Sequence, residues 1–417
     1  MNDIDDPIVL AGWARSAVVP VDGAFGDLTP AALGAPVILA ALAKAGIVGA
    51  QVDTVVAGNA LGANGNPARM LALAAGLPDA CAAFSLDSQC CAGLDAVTVG
   101  AGLIASGTAS IVVAGGVEAW SRAPIRAHRP ARSDDPHEPP RVYERPAFAP
   151  DPARDPDLFA AAADYARQRR WTREAQDRYA IAMHGRARAH AAECANEIVR
   201  IAGIDADRYP RTLTAERAAR MPLAMRADGL GHGLGLSPSD RIVDIDADDP
   251  RYAQSRIAVS PRADGAAFVV LMRASTHHTV RAHLAQTNAP RLIWRGGQSL
   301  GGKPEQPMLA AGLAANALLQ RHGLSAQALH TIELHDAFAS QAFAFAEQLG
   351  IDVMQLNRRG GGIARGHPIG ASGAIALVRM ATDLLRDGKT GDLGLAAIAG
   401  AGGLGAAALL ARDDAVL

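Results

Sequence analysis

The chain has 417 residues, 49% of them hydrophobic, and a formal net charge of -2. That length allows two or three domains around a large core. The near-neutral charge speaks against a general nucleic-acid or membrane-surface partner, and no uncharged apolar run is long enough to predict a membrane span.

The acidic opening "MNDIDDPIVLAGWARSAVV" does not read as a secretory signal. The four cysteines are Cys81, Cys90, Cys91 and Cys194. Two of them are adjacent, which suits neither a disulfide framework nor zinc-ligand spacing, so no metal site is expected. A soluble protein of a reducing compartment, the cytoplasm, is the expectation. Glycine and alanine are abundant and aromatics few. Either backbones approach each other and a ligand closely, or a GC-rich coding bias inflates the small residues.

In chain order, "IVLAGWA" and "TVVAGNAL" are short apolar runs that read as strands. Between them, "AALGAPVILAALAKAG" has helical spacing with Gly46 as its stop. "GLDAVTVGAGLIASG" predicts a small-residue helix ending at Gly107, and "ASIVVAGGVEA" a buried strand. This alternation implies a mostly parallel sheet with helices on both faces. From Arg122 to Asp157 the chain is rich in Pro, Arg and Asp without periodicity, which predicts a surface excursion. A polar helix follows in "TREAQDRYAIAMHGRARAHAAE", with Thr172 as N-cap, and then an irregular stretch, "DGLGHGLGLSPSD". The sheet pattern returns in "DGAAFVVLMR".

Residues 275–417 resume the alternation and carry a weak internal repeat. Helix "CAGLDAVTVGAGLIASG" and strand "SIVVAGG" match helix "PIGASGAIALVRMATDLLRDG" and strand "LGLAAIAGAGG". In that alignment Cys90 and His367 open corresponding helices. The expectation is two duplicated α/β halves, 1–121 with 256–274 and 275–417, with 122–255 inserted into the first.

Four stretches carry chemistry. Cys90, in "SLDSQCCAGLDAV", stands at a predicted helix start, where free N–H groups and the helix dipole favour a thiolate. The alternative is a core cysteine. His367, in "RGGGIARGHPIGASG", precedes a proline suited to a first helical position. It either serves a thiol or a carbonyl oxygen, or only caps its helix. His335 and Asp336, in "ELHDAFASQAFAF", follow a strand at the end where α/β sheets build sites; the alternative is an N-cap made by Asp336. The Gly-rich "AIAGAGGLGAA" has no suitably placed acidic residue after it, so it reads as a backbone oxyanion site rather than a dinucleotide cradle.

Jointly these motifs resemble those of the thiolase superfamily, the acyl-CoA C-acetyltransferases. "SQCCAGLDAV" is similar to the nucleophile motif, which selects Cys90 over Cys91. "GGVEAWSRAP" at 115–124, "NPARMLALAAGLP" at 66–78 and "GIARGHPIGASG" resemble three further family segments. The resemblance implies a thiolase-like α/β fold, two duplicated halves in five layers (αβαβα) with an inserted loop domain that grips coenzyme A. It implies a homodimer or homotetramer acting on acyl-CoA substrates, with a coenzyme A thioester as substrate and no tightly bound cofactor. By the same resemblance Cys90 takes the acyl group and His367 activates it. The N–H groups of Cys90 and Ala401 form an oxyanion hole, and Ser260 and Phe338 lie beside the pantetheine arm.

The chain departs from the family at three positions. The second cysteine, which moves the α-proton, is replaced by Ala399. His335 stands where most thiolases have Asn; sterol-carrier-type thiolases have His-Asp-Cys-Phe, and this chain has His-Asp-Ala-Phe at 335–338. Arg365 stands where the family is usually apolar, and is expected to point to the surface. Three readings follow. The first is thiolase-type acyl transfer with C–C bond formation or thiolysis. The second is decarboxylative condensation through a Cys90–His335–His367 set resembling that of β-ketoacyl synthases. The third is a non-catalytic or partner-dependent subunit.

Overall fold

The computed structural model describes residues 6–62, 65–130, 139–143, 145–224, 250–283 and 290–414. The chain opens with β1 (Ile8–Ser16), β2 (Val19–Pro20), α1 (Pro30–Ala45), β3 (Thr54–Gly58), α2 (Pro67–Ala74), β4 (Ala82–Leu86), α3 (Ala92–Ala105) and β5 (Ile111–Glu118). The antiparallel pair β6 (Arg126–His128) and β7 (Arg141–Tyr143) comes next. Helices α4 (Leu158–Gln168), α5 (Arg173–Ala189) and α6 (Ala191–Cys194), β8 (Ile198–Val199) and α7 (Ala215–Ala219) follow. β9 (Ala263–Arg273), α8 (Ala274–His283), β10 (Arg291–Gly301), α9 (Ala310–Arg321), β11 (Leu329–His335) and α10 (Ala339–Leu349) then lead to the final elements. These are α11 (Gly362–Arg365), α12 (Ile369–Asp387), β12 (Leu393–Gly400) and β13 (Leu404–Asp413).

Local chemistry explains the boundaries. Thr29 caps α1 by accepting from the Ala32 N–H, and Gly46 ends it in the left-handed region at φ 70°. Thr172 caps α5 as the sequence predicts, accepting from the Ala175 N–H. The stretch "DGLGHGLGLSPSD" lies outside the described residues.

The strands follow one hydrogen-bonded order, β4-β3-β5-β9-β1-β10-β13-β12-β11, and the halves meet where β1 pairs β10 at Val9↔Ile293 and Leu10↔Leu292. β3 runs parallel to β4 and β5, and β11 parallel to β12. β9 and β13 run antiparallel to their neighbours. The sheet is therefore mixed rather than mostly parallel. The three residues Ala401–Gly403 that join β12 to β13 are too few for a crossover, so the strand must turn back.

Strand alternation builds the layers. On β9, Ala267, Val269 and Leu271 face a central core shared with Leu94 and Val97 of α3 and Leu377 and Val378 of α12. The intervening Ala266, Phe268 and Val270 face Leu33 and Ile38 of α1 and Leu71 of α2. On β13, Ala406 and Ala408 face the central core, and Ala407 and Leu409 face α9 and α10. Two outer helical layers, two sheet layers and the central pair α3/α12 make the five-layered α/β arrangement expected. The central helices touch through glycine: a Cβ on Gly93 would stand 2.6 Å from the Gly370 carbonyl oxygen. This contact puts the start of α3, beside Cys90, against the start of α12, beside His367. Among the described residues no helix is long and apolar enough to cross a membrane.

Candidate active site

Cys90 ends a tight turn. Gln89 is left-handed at φ 55°, the Cys91 N–H donates to the Ser88 carbonyl, and the Ala92 N–H to that of Gln89. Holding a non-glycine residue there costs about 1 kcal/mol or more, and such strain concentrates at functional sites. Cys91 is the N-cap of α3, so Cys90 sits one residue outside the helix rather than opening it. Cys91 is a core residue with no exposure, as expected. The predicted stabilisation of a resting thiolate does not hold. Burial pushes the Cys90 thiol up to about 12, although the backbone N–H groups of Ala401 and of Cys90 itself oppose the shift. Desolvation outweighs two N–H dipoles.

His367 Nε2 lies 3.1 Å from Cys90 Sγ. Burial pushes the imidazole down to about 4, so the ring is neutral at pH 7. Ser372, one turn into α12, sets its tautomer. The Ser372 hydroxyl donates to the Pro368 carbonyl at 2.9 Å. Its single proton is thereby used, and it accepts from His367 Nδ1 at 2.7 Å. The Nε2 lone pair is left facing the thiol. Pro368 is the N-cap of α12 rather than its first residue.

These two side chains open into a cavity of about 200 Å³, larger than the roughly 150 Å³ void that holds a benzene ring. Its floor is Cys90, His367, Ala399, Gly400 and Ala401, and its walls include Phe148, Phe159, Met308 and Phe338. Phe338 meets Phe159 edge-on, with ring centroids 5.3 Å apart. Ser260 lines the cavity, with its hydroxyl donating to the Gly362 carbonyl at 2.7 Å. Residues Arg145–Phe159 include several of the walls, so the stretch read as a surface excursion roofs the site in part. Ala399, expected from the family resemblance at the second cysteine's position, lines the cavity with only a methyl side chain.

His335 stacks on His367 with ring centroids 4.4 Å apart and planes 29° off parallel. It is buried and does not line the cavity. Burial, the facing His367 and Arg365 all hold it well below the ordinary histidine range. Asp336 is not an N-cap, because Phe338 occupies that position in α10. Asp336 instead accepts from the Tyr179 hydroxyl at 2.8 Å and the Ile363 N–H at 3.3 Å. Arg365 does not reach the surface. It is 3% exposed, and its Nη2 donates to Glu333 Oε1 at 2.6 Å.

Glu118 had no role in the sequence reading beyond its place in "GGVEAWSRAP". Oε1 accepts from Asn59 Nδ2 at 2.7 Å, and Oε2 from the Ala60 and Gly370 N–H groups, both at 2.9 Å. It therefore ties the cavity-lining loop at 59–61 to the helix that follows His367. Burial lifts its carboxyl to about 7. The signal available in the sequence was an acid at the end of a wholly apolar strand. Among the described residues no group of three or more His, Cys, Asp or Glu is placed to hold a metal ion.

A cysteine and a neutral histidine brought together from two duplicated halves, with backbone N–H donors beside the sulfur, are an arrangement suited to nucleophilic acyl transfer of the condensing-enzyme type. Comparison with known proteins gives the family. The thiolase N-terminal domain matches residues 8–231 and the thiolase C-terminal domain residues 292–412. The chain is 32% identical to the acetyl-CoA acetyltransferase of Rhizobium meliloti, over 97% of this chain and 98% of that one. It is also 32% identical to the acetyl-CoA acetyltransferase of Pseudomonas aeruginosa, over 97% and 99%. The crystal structure of the Bacillus anthracis acetyl-CoA acetyltransferase superposes with a TM-score of 0.82 at 26% identity, over 98% of this chain and 99% of that one. The Acat5 thiolase of Ascaris suum, in complex with coenzyme A, shares the fold at a TM-score of 0.80 and 24% identity, covering 97% and 100%. The chain belongs to the thiolase family.

Proposed function

We propose that the protein is an acyl-CoA acyltransferase of thiolase type in which Cys90 carries the acyl group. The observation that supports this most is the 3.1 Å contact between Cys90 Sγ and the unprotonated Nε2 of His367. With the thiol near 12 and the imidazole near 4, no ion pair exists at rest. The proton moves to Nε2 as sulfur attacks the thioester carbonyl. The developing oxyanion accepts from the N–H groups of Cys90 and Ala401, which already point at the sulfur. Collapse expels the coenzyme A thiolate, which recovers the proton from His367, and leaves an acyl-Cys90 thioester.

In the degradative direction Cys90 attacks the 3-keto carbon of a 3-ketoacyl-CoA, the C–C bond breaks, and the departing enolate needs a proton. Ala399 cannot supply it, so the task falls to His367 or to water. Ser260 and Phe338 contact the pantetheine and acyl ends of the substrate, and the 122–255 insertion holds coenzyme A. A homodimer or homotetramer in the cytoplasm belongs to the same proposal. The methyl of Ala399 favours one second reading, decarboxylative condensation, where loss of CO₂ generates the carbanion and no base is needed at the α-carbon. Burial of His335 away from the cavity weighs against its direct contact with that enolate.

Acetoacetyl-CoA with coenzyme A, and separately acetyl-CoA with malonyl-CoA, distinguish the readings. Release of acetyl-CoA from acetoacetyl-CoA by the wild type and not by Cys90→Ala is the expected result. Turnover with malonyl-CoA alone supports the second reading. Equal turnover by wild type and Cys90→Ala overturns both.

A further inference from the structure

Two pairs of side chains bridge β11 and the segment that carries the base. Glu333 and His335 are two apart on the strand and so share a face. Arg365 ends α11, and His367 lies two residues on, in the link to α12. One rung is the Glu333–Arg365 ion pair at 2.6 Å, and the next is the imidazole stack at 4.4 Å. The segment is pinned beside both rungs. Arg365 Nη1 donates to the Gly360 carbonyl, the Ser260 hydroxyl to that of Gly362, and a Cβ on Gly362 would stand 2.6 Å from His335 Nδ1.

We propose that the Arg365–Glu333 ion pair is a positioning device that sets His335 against His367. The proposal rests on the functional reading above, since neutral His367 is what accepts the Cys90 proton. A buried ion pair adds little to stability over apolar residues of similar size, so its presence beside the base calls for another role. The role follows from charge. Besides burial, the facing His367 and the guanidinium disfavour a cation at His335, so that ring packs neutral against His367. Glu333 balances part of the guanidinium's field while fixing its direction. Further ionisable groups around the stack are Asp336, held by the Tyr179 hydroxyl, and Cys90, which contacts His367 Nε2. Arg379 and Asp383 lie near Glu333 and are themselves paired.

The test compares the wild type with Arg365→Met, Arg365→Lys and the double variant Glu333→Gln/Arg365→Met. Histidine NMR titration of the resting protein reads both rings, and rapid-quench acetylation of Cys90 by acetyl-CoA reads the rate against pH. Removing the cation raises the His335 pKa, while the acid limb of the rate profile, set by the burial of His367, stays in place. Arg365→Met is expected to slow acetylation on the order of 10- to 100-fold, with KM near wild type, because the base is misplaced. Arg365→Lys restores the rate and the His335 titration in large part. The double variant leaves no unpaired buried charge, so it folds even where the single variant does not, and it shows the same upward shift. A folded variant with the wild-type titration and rate, or a rise in KM alone, overturns the proposal. Absence of any acetyl-Cys90 in the wild type sinks the functional reading, while the titration still decides the ion pair.

Discussion

Cys90 Sγ and His367 Nε2 lie 3.1 Å apart although 277 residues of chain separate them. The contact exists because the two central helices, one from each half, start side by side. A Cβ on Gly370 would stand 2.6 Å from the Asn59 Cα, which shows how closely the helix after His367 abuts the loop beside the nucleophile's half.

His367→Asn removes the proton acceptor and is expected to lower the acetylation rate on the order of 10²- to 10⁴-fold. Ser372→Ala keeps the ring and frees its tautomer. The expected loss is smaller, about 10-fold in kcat with KM near wild type, because a general base of undefined tautomer loses part of its rate advantage. Steady-state kinetics of both variants check this; equal losses would show that Ser372 does more than orient the ring.

The pH profile follows from the two shifts. The reactive form is the neutral thiol with the neutral imidazole, which persists from about 4, where His367 protonates, to about 12, where Cys90 ionises. The acylation rate is therefore expected to be level across neutral pH and to fall only near 4. Stability carries the same signature. An unfolded histidine titrates near 6.5, so between about 6.5 and 4 the unfolded chain binds more protons than the folded one. The His367 contribution is fully present above 6.5 and lost as pH falls through 4. His367→Asn should thus gain in Tm relative to wild type as pH falls through that window, which thermal unfolding at several pH values measures.

Ala399→Cys places a thiol in the lining of the cavity that Cys90 and His367 share. If the missing proton carrier limits C–C bond chemistry, thiolysis of acetoacetyl-CoA should rise on the order of 10²-fold, the usual worth of a positioned acid–base group. Acetylation of Cys90 should change little. A parallel rise in both steps would place the limit elsewhere.

Glu118→Gln replaces an oxygen that accepts two N–H groups with a donor, whichever way the amide turns. The expected loss is about 2 to 4 kcal/mol of stability, measured by urea unfolding. Activity should fall as well, because the same carboxylate joins the loop at 59–61 to the helix after His367.

The duplicated halves were legible because a local pattern carries them, while the five layers and the pairing of Cys90 with His367 were implied by the resemblance to the thiolase motifs. A small-residue helix, a glycine stop and an apolar strand recur twice, and Cys90 and His367 precede the two copies. What was not legible depends on partners distant in sequence. Arg365 reads as a surface residue until Glu333, 32 residues away on β11, is beside it. The thiol pKa was read from helix position alone, and burial, a property of the whole fold, reversed it. Ser372 stood inside the quoted motif, yet its role depends on where one hydroxyl proton goes. The antiparallel returns at β9 and β13 were missed because strand composition does not encode direction; at β13 the three-residue turn before it does.

Incubation with acetyl-CoA followed by peptide mass spectrometry is the most direct test of the central claim. The account predicts one acetyl group, on the peptide containing Cys90, lost in Cys90→Ala and strongly slowed in His367→Asn. An unmodified Cys90, or acetylation at the same rate without His367, would contradict it.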